Sequence, residues 1–228
     1  MTEIVLDLET TGLDPKQGHR IVEIGAIKLR NKSLTNEKFH YYVNPQRDMP
    51  TEAYNVHGIS SDFLRDKPIF ATVADQLLEF IKDSTLIIHN AQFDVKFLNY
   101  ELALLGKGSI NVVNVIDTLK IAQSRYPGKR ASLDALCDRF KIDLSHRKLH
   151  GALKDAELLA KVYYLMTGGF NQYSLEVEQN IKEMQDLKVE RAKITSKVIK
   201  PTQVELENHL KLIKKMQNSI WSTHTNRE

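Results

Sequence analysis

The chain has 228 residues, of which 42% are hydrophobic and 27% charged, with a formal net charge of +3 and one cysteine. That length supports one domain with a sizeable core plus an appendage, and the composition is that of an ordinary soluble globular protein. It excludes a membrane protein, since no apolar run could cross a bilayer; a disulfide-stapled or cysteine-rich zinc protein; and a coat protein that neutralises nucleic acid with many cations.

The first residues, MTEIVLDLE, lack the basic and apolar regions of a secretory signal, so the chain is expected to be cytoplasmic. Residues 4–8 read as a strand, "RIVEIGAIKL" (20–29) as a second and "FHYYVN" (39–44) as a third. "LDPKQG" is turn-like, and "NKSLTN" is expected to link the second and third strands. Residues 71–82 carry apolar side chains at helical spacing, and "STLIIHN" is a short apolar strand. Helical patterns follow at 93–105, 117–125, 132–141 and 151–166. Cys137 falls with Leu133, Leu136 and Phe140 at core spacing, which predicts a small buried hydrophobe. Strands first, then strands alternating with helices, predict an α/β domain with a mixed sheet flanked by helices, ending at "TGG" (167–169).

Composition then shifts. Residues 176–200 become rich in Lys, Glu and Gln, a composition that fits a helix or a linker, and 170–200 is read as a linker. In 201–228, Pro201 precedes a capping-box pattern, Thr202-Gln-Val-Glu205. Leu206, Leu210, Ile213 and Ile220 then form one helical stripe, with Trp221 beside it.

Chemistry concentrates in four acids. Residues i and i+2 of a strand share a face, roughly 7 Å apart at about 3.3 Å rise per residue. In "IVLDLETTGL", Asp7 and Glu9 therefore share one face and Ile4, Leu6 and Leu8 the other. A strand with one solvated face predicts polar residues there, but not two like charges, which repel unless a cation lies between them. Asp94, in "HNAQFDVKFL", shares a helical stripe with Phe97, Leu98, Leu102 and Leu105; Asp155, in "HGALKDAELLAKVY", shares one with Ala152, Leu159, Val162 and Met166. An inward acid is costly unless it is paired or hydrogen-bonded. Four such acids without a matching set of inward Lys or Arg favour a metal site, and hard carboxylates select Mg²⁺ or Mn²⁺. Two such ions about 4 Å apart are a general device for phosphodiester hydrolysis. The remaining need is a base. His150 precedes Asp155 by five positions, about 140° off-face in a continuous helix, so it belongs on a loop or first turn before that helix. With an ordinary pKa of about 6.5 it suits general-base work near neutrality. His146 is a nearby rival without special spacing.

A D-x-E strand, an Asp after "HN" and H-x4-D on a late helix together resemble the DEDDh family of 3′–5′ exonucleases. "VHGI" and "YPGKRASLDALC" resemble the replication branch of that family, which proofreads for the bacterial replicative polymerase. The likeness spans essentially residues 4–169. It implies an RNase H-like fold, two Mg²⁺ or Mn²⁺ ions per site, and removal of one deoxynucleoside 5′-monophosphate at a time from a single-stranded DNA 3′ end. It also implies roles. Asp7 would bridge both ions, with Glu9, Asp94 and Asp155 completing the ligand set and His150 as general base. Glu9, Glu52 and His57 would contact the terminal nucleotide, with Asp7 and Asp155 engaging its phosphate through the ions. His89 and Asn90 would orient the site. The family's usual first motif has Thr where this chain has Leu8, an inward position that leaves the chemistry intact. Lys129 and Arg130 read as a solvated turn able to approach phosphates.

"QYSLEV" (172–177) resembles the glutamine-led peptides that dock replication proteins on the sliding clamp, with Gln172, Leu175 and Val177 as anchors. By the same resemblance, 201–228 would bind the polymerase catalytic subunit. A flexible tether raises the local concentration of the nuclease at the primer end. Two alternatives share these features: an RNA-processing 3′–5′ exonuclease of the same family, and a clamp and polymerase adaptor without catalysis.

Overall fold

The computed structural model describes residues 2–31, 33–145, 149–167 and 201–215. Its centre is a five-stranded mixed sheet of β1 (Thr2–Thr10), β2 (Ile21–Arg30), β3 (Ser33–Tyr42), β4 (Ser84–Ile88) and β5 (Val115–Asp117), in the order β3-β2-β1-β4-β5. β1 runs antiparallel to β2 and parallel to β4, as its central, wholly buried Ile4, Val5 and Leu6 require. The RNase H-like mixed sheet expected from the sequence is present.

The segment "NKSLTN" is not a link. β3 begins at Ser33, which pairs with Arg30, so residues 33–36 already belong to the strand. Asn31 adopts a φ of 52°, the left-handed conformation that tight hairpins need and Asn tolerates.

Helices cover both faces of the sheet. One face packs on α3 (Phe70–Ile81) and α4 (Ala91–Leu104): Ile4, Leu6 and Leu8 meet Val73, Leu77, Phe97, Leu98 and Leu102 in one buried cluster. At about 1.5–3 kcal/mol for each fully buried large apolar side chain, this cluster dominates the stabilisation. The opposite face, holding Val5 and Ile27, packs on α7 (Ala152–Met166). Ala152, Ala156 and Ala160 form an i, i+4, i+8 row of buried small residues, so α7 lies close against β2 and β1. α5 (Thr118–Arg125) and α6 (Leu133–Phe140) back α7 through Leu136, Val162, Met166 and the buried Cys137. Arg125 donates to the Met166 carbonyl at the end of α7.

Two short helices, α1 (Thr51–His57) and α2 (Ser61–Leu64), escape the periodicity because they are short and bury few side chains. Arg20 and Glu101 form a two-pronged ion pair, with both N–O distances 2.7 Å, that ties the entry of β2 to α4.

The chain divides into two units, Met1–Gln172 and Tyr173–Glu228. In the second, α8 (Gln203–Lys215) begins with the expected capping box: the Thr202 amide donates to Glu205 Oε2 at 2.7 Å, and the Glu205 amide to Thr202 Oγ1 at 3.4 Å. Val204, Leu206 and Leu212 are exposed on it. The linker reading of 170–200 and the anchors Gln172, Leu175 and Val177 lie outside the described residues, as do Ile220 and Trp221. Among the described residues no helix is long and apolar enough to cross a membrane.

Candidate active site

β1 and β4 are parallel, and the acids gather past their last paired residues, Val5 and Ile87, towards the C-terminal ends of the strands, where parallel sheets leave room for ligands. Asp7 and Glu9 lie on one face of β1 with Val5, as the strand period requires, while Leu8 points into the core at 5% exposure. β4 then leads through His89 and Asn90 into α4. Asn90 is exposed, adopts a left-handed φ of 63° and precedes Ala91; its amide donates to Asp117 Oδ1 at 3.2 Å. This sharp entry places Asp94 in the first turn of α4, 3% exposed, where the helix dipole favours an anion. Asp155 occupies the same place in α7 and is 4% exposed.

These elements bring the predicted residues together. Glu9, His150 and Asp155 each offer one ligand atom within 4.8 Å of the others. His150 lies just before α7, and its Nδ1 stands 3.1 Å from Asp155 Oδ2. Burial raises the Asp7 carboxyl well above its ordinary 3.8, and the negative charges of Asp94, Asp155, Glu9 and Glu23 raise it further. Burial likewise lifts Asp94; backbone amides of Asp94 and Leu8 work against the rise, and Glu9 and Asp117 add to it. The donor set fits a hard divalent cation: converging carboxylate oxygens, desolvated, each making its neighbour's charge costlier.

A cavity of about 470 Å³ opens beside Glu9. Leu8, Phe93 and Val56 line it with apolar surface, and Glu52, His57 and His19 with polar surface. Glu52 and His57 thus border the same space as Glu9. His57 is 6% exposed and its Nδ1 accepts from the Ile59 amide at 3.0 Å. His89 binds Thr118 Oγ1 through Nδ1 at 3.0 Å, and burial lowers its pKa below 6.5. Lys129 and Arg130 are exposed in a turn, as the sequence suggested. His146 lies outside the described residues.

Sequence reasoning missed three supporting features. Glu23 is a further buried carboxylate next to the four acids, 3% exposed, and His40 faces it at 2.7 Å. A charged residue inside "IVEIGAI" was the available signal. Gly25 is the point where the start of α7 rests on β2: a Cβ there would stand 2.2 Å from the Leu153 amide nitrogen.

Comparison with known proteins first defines the class. The family model described as an exonuclease matches residues 4–163. Among solved structures, the nuclease domain of 3′hExo, a DEDDh family member bound to rAMP, gives a TM-score of 0.63 at 20% identity, covering 73% of this chain and 92% of that one. Exonuclease I gives 0.63 at 18% identity over 72% of this chain and 41% of that one; at such identities the likeness is one of fold. Curated relatives narrow the class. A DNA polymerase III subunit epsilon of Rickettsia felis is 57% identical over 92% of this chain and 94% of that protein. The same subunit of Salmonella typhimurium is 48% identical over 80% of this chain and 78% of that protein. The chain belongs to the exonuclease family and, within it, to the DNA polymerase III epsilon subunits.

Proposed function

We propose that the protein is the proofreading 3′–5′ exonuclease of a bacterial replicative polymerase, acting in the cytoplasm and removing misincorporated nucleotides from a primer 3′ end as deoxynucleoside 5′-monophosphates. The observation that carries this reading is the convergence of Glu9, His150 and Asp155 within 4.8 Å, beside Asp7 and Asp94 carboxyls that burial and mutual repulsion hold above their usual range.

Asp7, Glu9, Asp94 and Asp155 would hold two Mg²⁺ or Mn²⁺ ions. Ions held there would supply a water of lowered pKa and charge to stabilise the leaving oxygen of the phosphodiester. His150 takes the proton from the attacking water; its ring is 45% exposed, so it can pass that proton to solvent. Its approach to Asp155 keeps the ring at the site. Glu52 and His57 border the cavity next to Glu9 and position the terminal nucleotide. Leu8 and Phe93 offer apolar surface to its base. Lys129 and Arg130 meet the phosphates further along the strand. The amphipathic segment containing α8 docks on the polymerase catalytic subunit, and the 172–177 peptide on the sliding clamp, so weak contacts suffice at high local concentration.

The test is digestion of a mismatched DNA primer with Mg²⁺ or Mn²⁺, compared with EDTA and with Asp7→Ala. Digestion that needs the metal and is lost in a folded Asp7→Ala protein supports the reading. Retained activity in that variant overturns it, and a strong preference for RNA over DNA of the same sequence replaces it with RNA processing.

A further inference from the structure

The first turn of α7 carries Asp155 and follows His150, so its placement governs two of the five residues assigned above. Nothing in its own sequence caps it. The N-cap is Gly151, which has no side chain to offer the first amides. The cap comes from β2 instead. Glu23 Oε2 accepts the Ala152 amide at 3.1 Å, and Oε1 lies 2.7 Å from His40 Nε2 on β3. The carboxylate is 3% exposed, and its ladder partner is Glu9. Two acids directly opposite each other on one face of a sheet repel. A buried carboxylate persists there because the α7 N-terminus and the His40 ring hold its two oxygens.

We propose that Glu23 is a positioning residue for the reaction: it holds the first turn of α7 over the acid cluster and so sets where Asp155 and His150 stand. The proposal rests on the nuclease reading for its catalytic consequence, but its geometry stands apart from it. Glu23 touches neither the reacting atoms nor the cavity. It acts through the Ala152 amide, three residues from Asp155 and two from His150. His40 fixes the second oxygen and leaves the first aimed at the helix.

The experiment compares Glu23→Met and Glu23→Gln in the full chain. Methionine fills the space without an acceptor for the amide; glutamine keeps one. Two readouts are taken. Amide hydrogen exchange follows residues 152–155 against residues 158–166 of the same helix. Primer digestion is followed across a Mn²⁺ titration. Glu23→Met is expected to speed exchange in the first turn and leave the rest of α7 protected. It should lower kcat by about 30-fold, within the 10²-fold that a misplacement of about 1 Å can cost, with KM for the primer changed less than about 3-fold. The Mn²⁺ concentration giving half-maximal rate should rise, because Asp155 no longer meets the ion in place. Glu23→Gln should restore first-turn protection and most of kcat. Exchange faster along the whole of α7, or a rate loss that merely follows the folded fraction, overturns the proposal and leaves Glu23 a general stabiliser. Wild-type exchange in a folded Glu23→Met protein also overturns it. An inactive wild type would sink the nuclease reading alone, and the exchange comparison would still decide the positioning. Glu23→Ala replaces the methionine variant should that chain not fold.

Discussion

Asp7 on β1 and Gly25 on β2 are direct partners in the antiparallel ladder, and both face α7. A Cβ on Gly25 would stand 2.2 Å from the Leu153 nitrogen and 2.3 Å from the Ala152 carbonyl carbon, both backbone atoms that cannot rotate away. The missing side chain is therefore what lets the first turn of α7 reach the strand beside Asp7. Gly25→Ala is expected to cost about 1–3 kcal/mol, as overpacking usually does. Its kcat should fall far more than the loss of folded protein accounts for, up to about 100-fold, because Asp155 moves with the turn. A melting curve and a primer-digestion assay on the same sample check this. A variant destabilised but fully active per folded molecule would show that the close crossing serves packing only.

The raised carboxyls give a pH signature. Asp7 and Asp94 bind protons more tightly folded than unfolded, so their contribution to stability is complete below the ordinary value of 3.8 and is lost as pH rises through their raised values. As pH rises and these carboxyls ionise, metal-free protein takes on their mutual repulsion. Asp7→Asn with Asp94→Asn should thus melt at a higher temperature than metal-free wild type at pH 7, by the about 0.5–2 kcal/mol typical of relieving strain at a functional site. That advantage should shrink toward pH 4. Mg²⁺ should raise the melting temperature of wild type and not of the double variant; at 100 times Kd the gain is about 2.7 kcal/mol. Equal Mg²⁺ effects on both proteins would place the ion elsewhere.

The four acids were legible because each breaks a pattern that its neighbours set. Asp7 and Glu9 interrupt a strand, while Asp94 and Asp155 interrupt apolar helical stripes, so the sequence carries the cost of burying them in plain view. His150 could be placed off the helix because five residues do not return to the same face. What supports these groups was less visible. Glu23 reads as one polar residue in a strand until α7 is seen to end on it. Gly25 reads as a weak strand position until the helix is seen to cross there. β5 has three residues, all partly exposed, and offers too short a run for any period to register. The start of β3 was hidden by "NKSLTN", whose residues have turn character but whose last four already lie in the strand. Long-range partners of this kind leave a local trace only as an oddity.

Arg20 and Glu101 pin the loop after β1 to α4, two turns beyond Asp94. Glu101 is 2% exposed and accepts both prongs of the guanidinium, whereas the Arg20 side chain is 26% exposed. Removing Arg20 strands a buried charge. Arg20→Ala should cost about 2–4 kcal/mol, the lower part of the range for breaking buried pairs because solvent screens one partner. Arg20→Ala with Glu101→Leu should recover much of that loss, since replacing both charges avoids the orphan. Chemical denaturation of the four proteins of the cycle measures it. Additive losses would mean that the two side chains do not act as a pair.

His57 has one ring nitrogen committed. Nδ1 accepts from the Ile59 amide at 3.0 Å, so the neutral ring carries its proton on Nε2. Burial lowers the pKa below 6.5, and the positive form of His150 lowers it further; the Thr10 carbonyl and Glu23 oppose the fall. Nε2 is buried and has no hydrogen-bond partner among the described residues. Because the folded-state pKa is depressed, His57 contributes stability above pH 6.5 that is lost as pH falls below it. The ring should therefore be neutral at pH 7, with an N–H donor at the edge of the cavity beside Glu9. Nitrogen-15 spectra of the histidine rings across a pH series should show the His57 ring, identified by its absence in His57→Gln, titrating below 6.5 in the Nε2–H form. A ring titrating above 6.5, or protonated on Nδ1, would mean that His57 meets substrate as a cation rather than as a neutral donor.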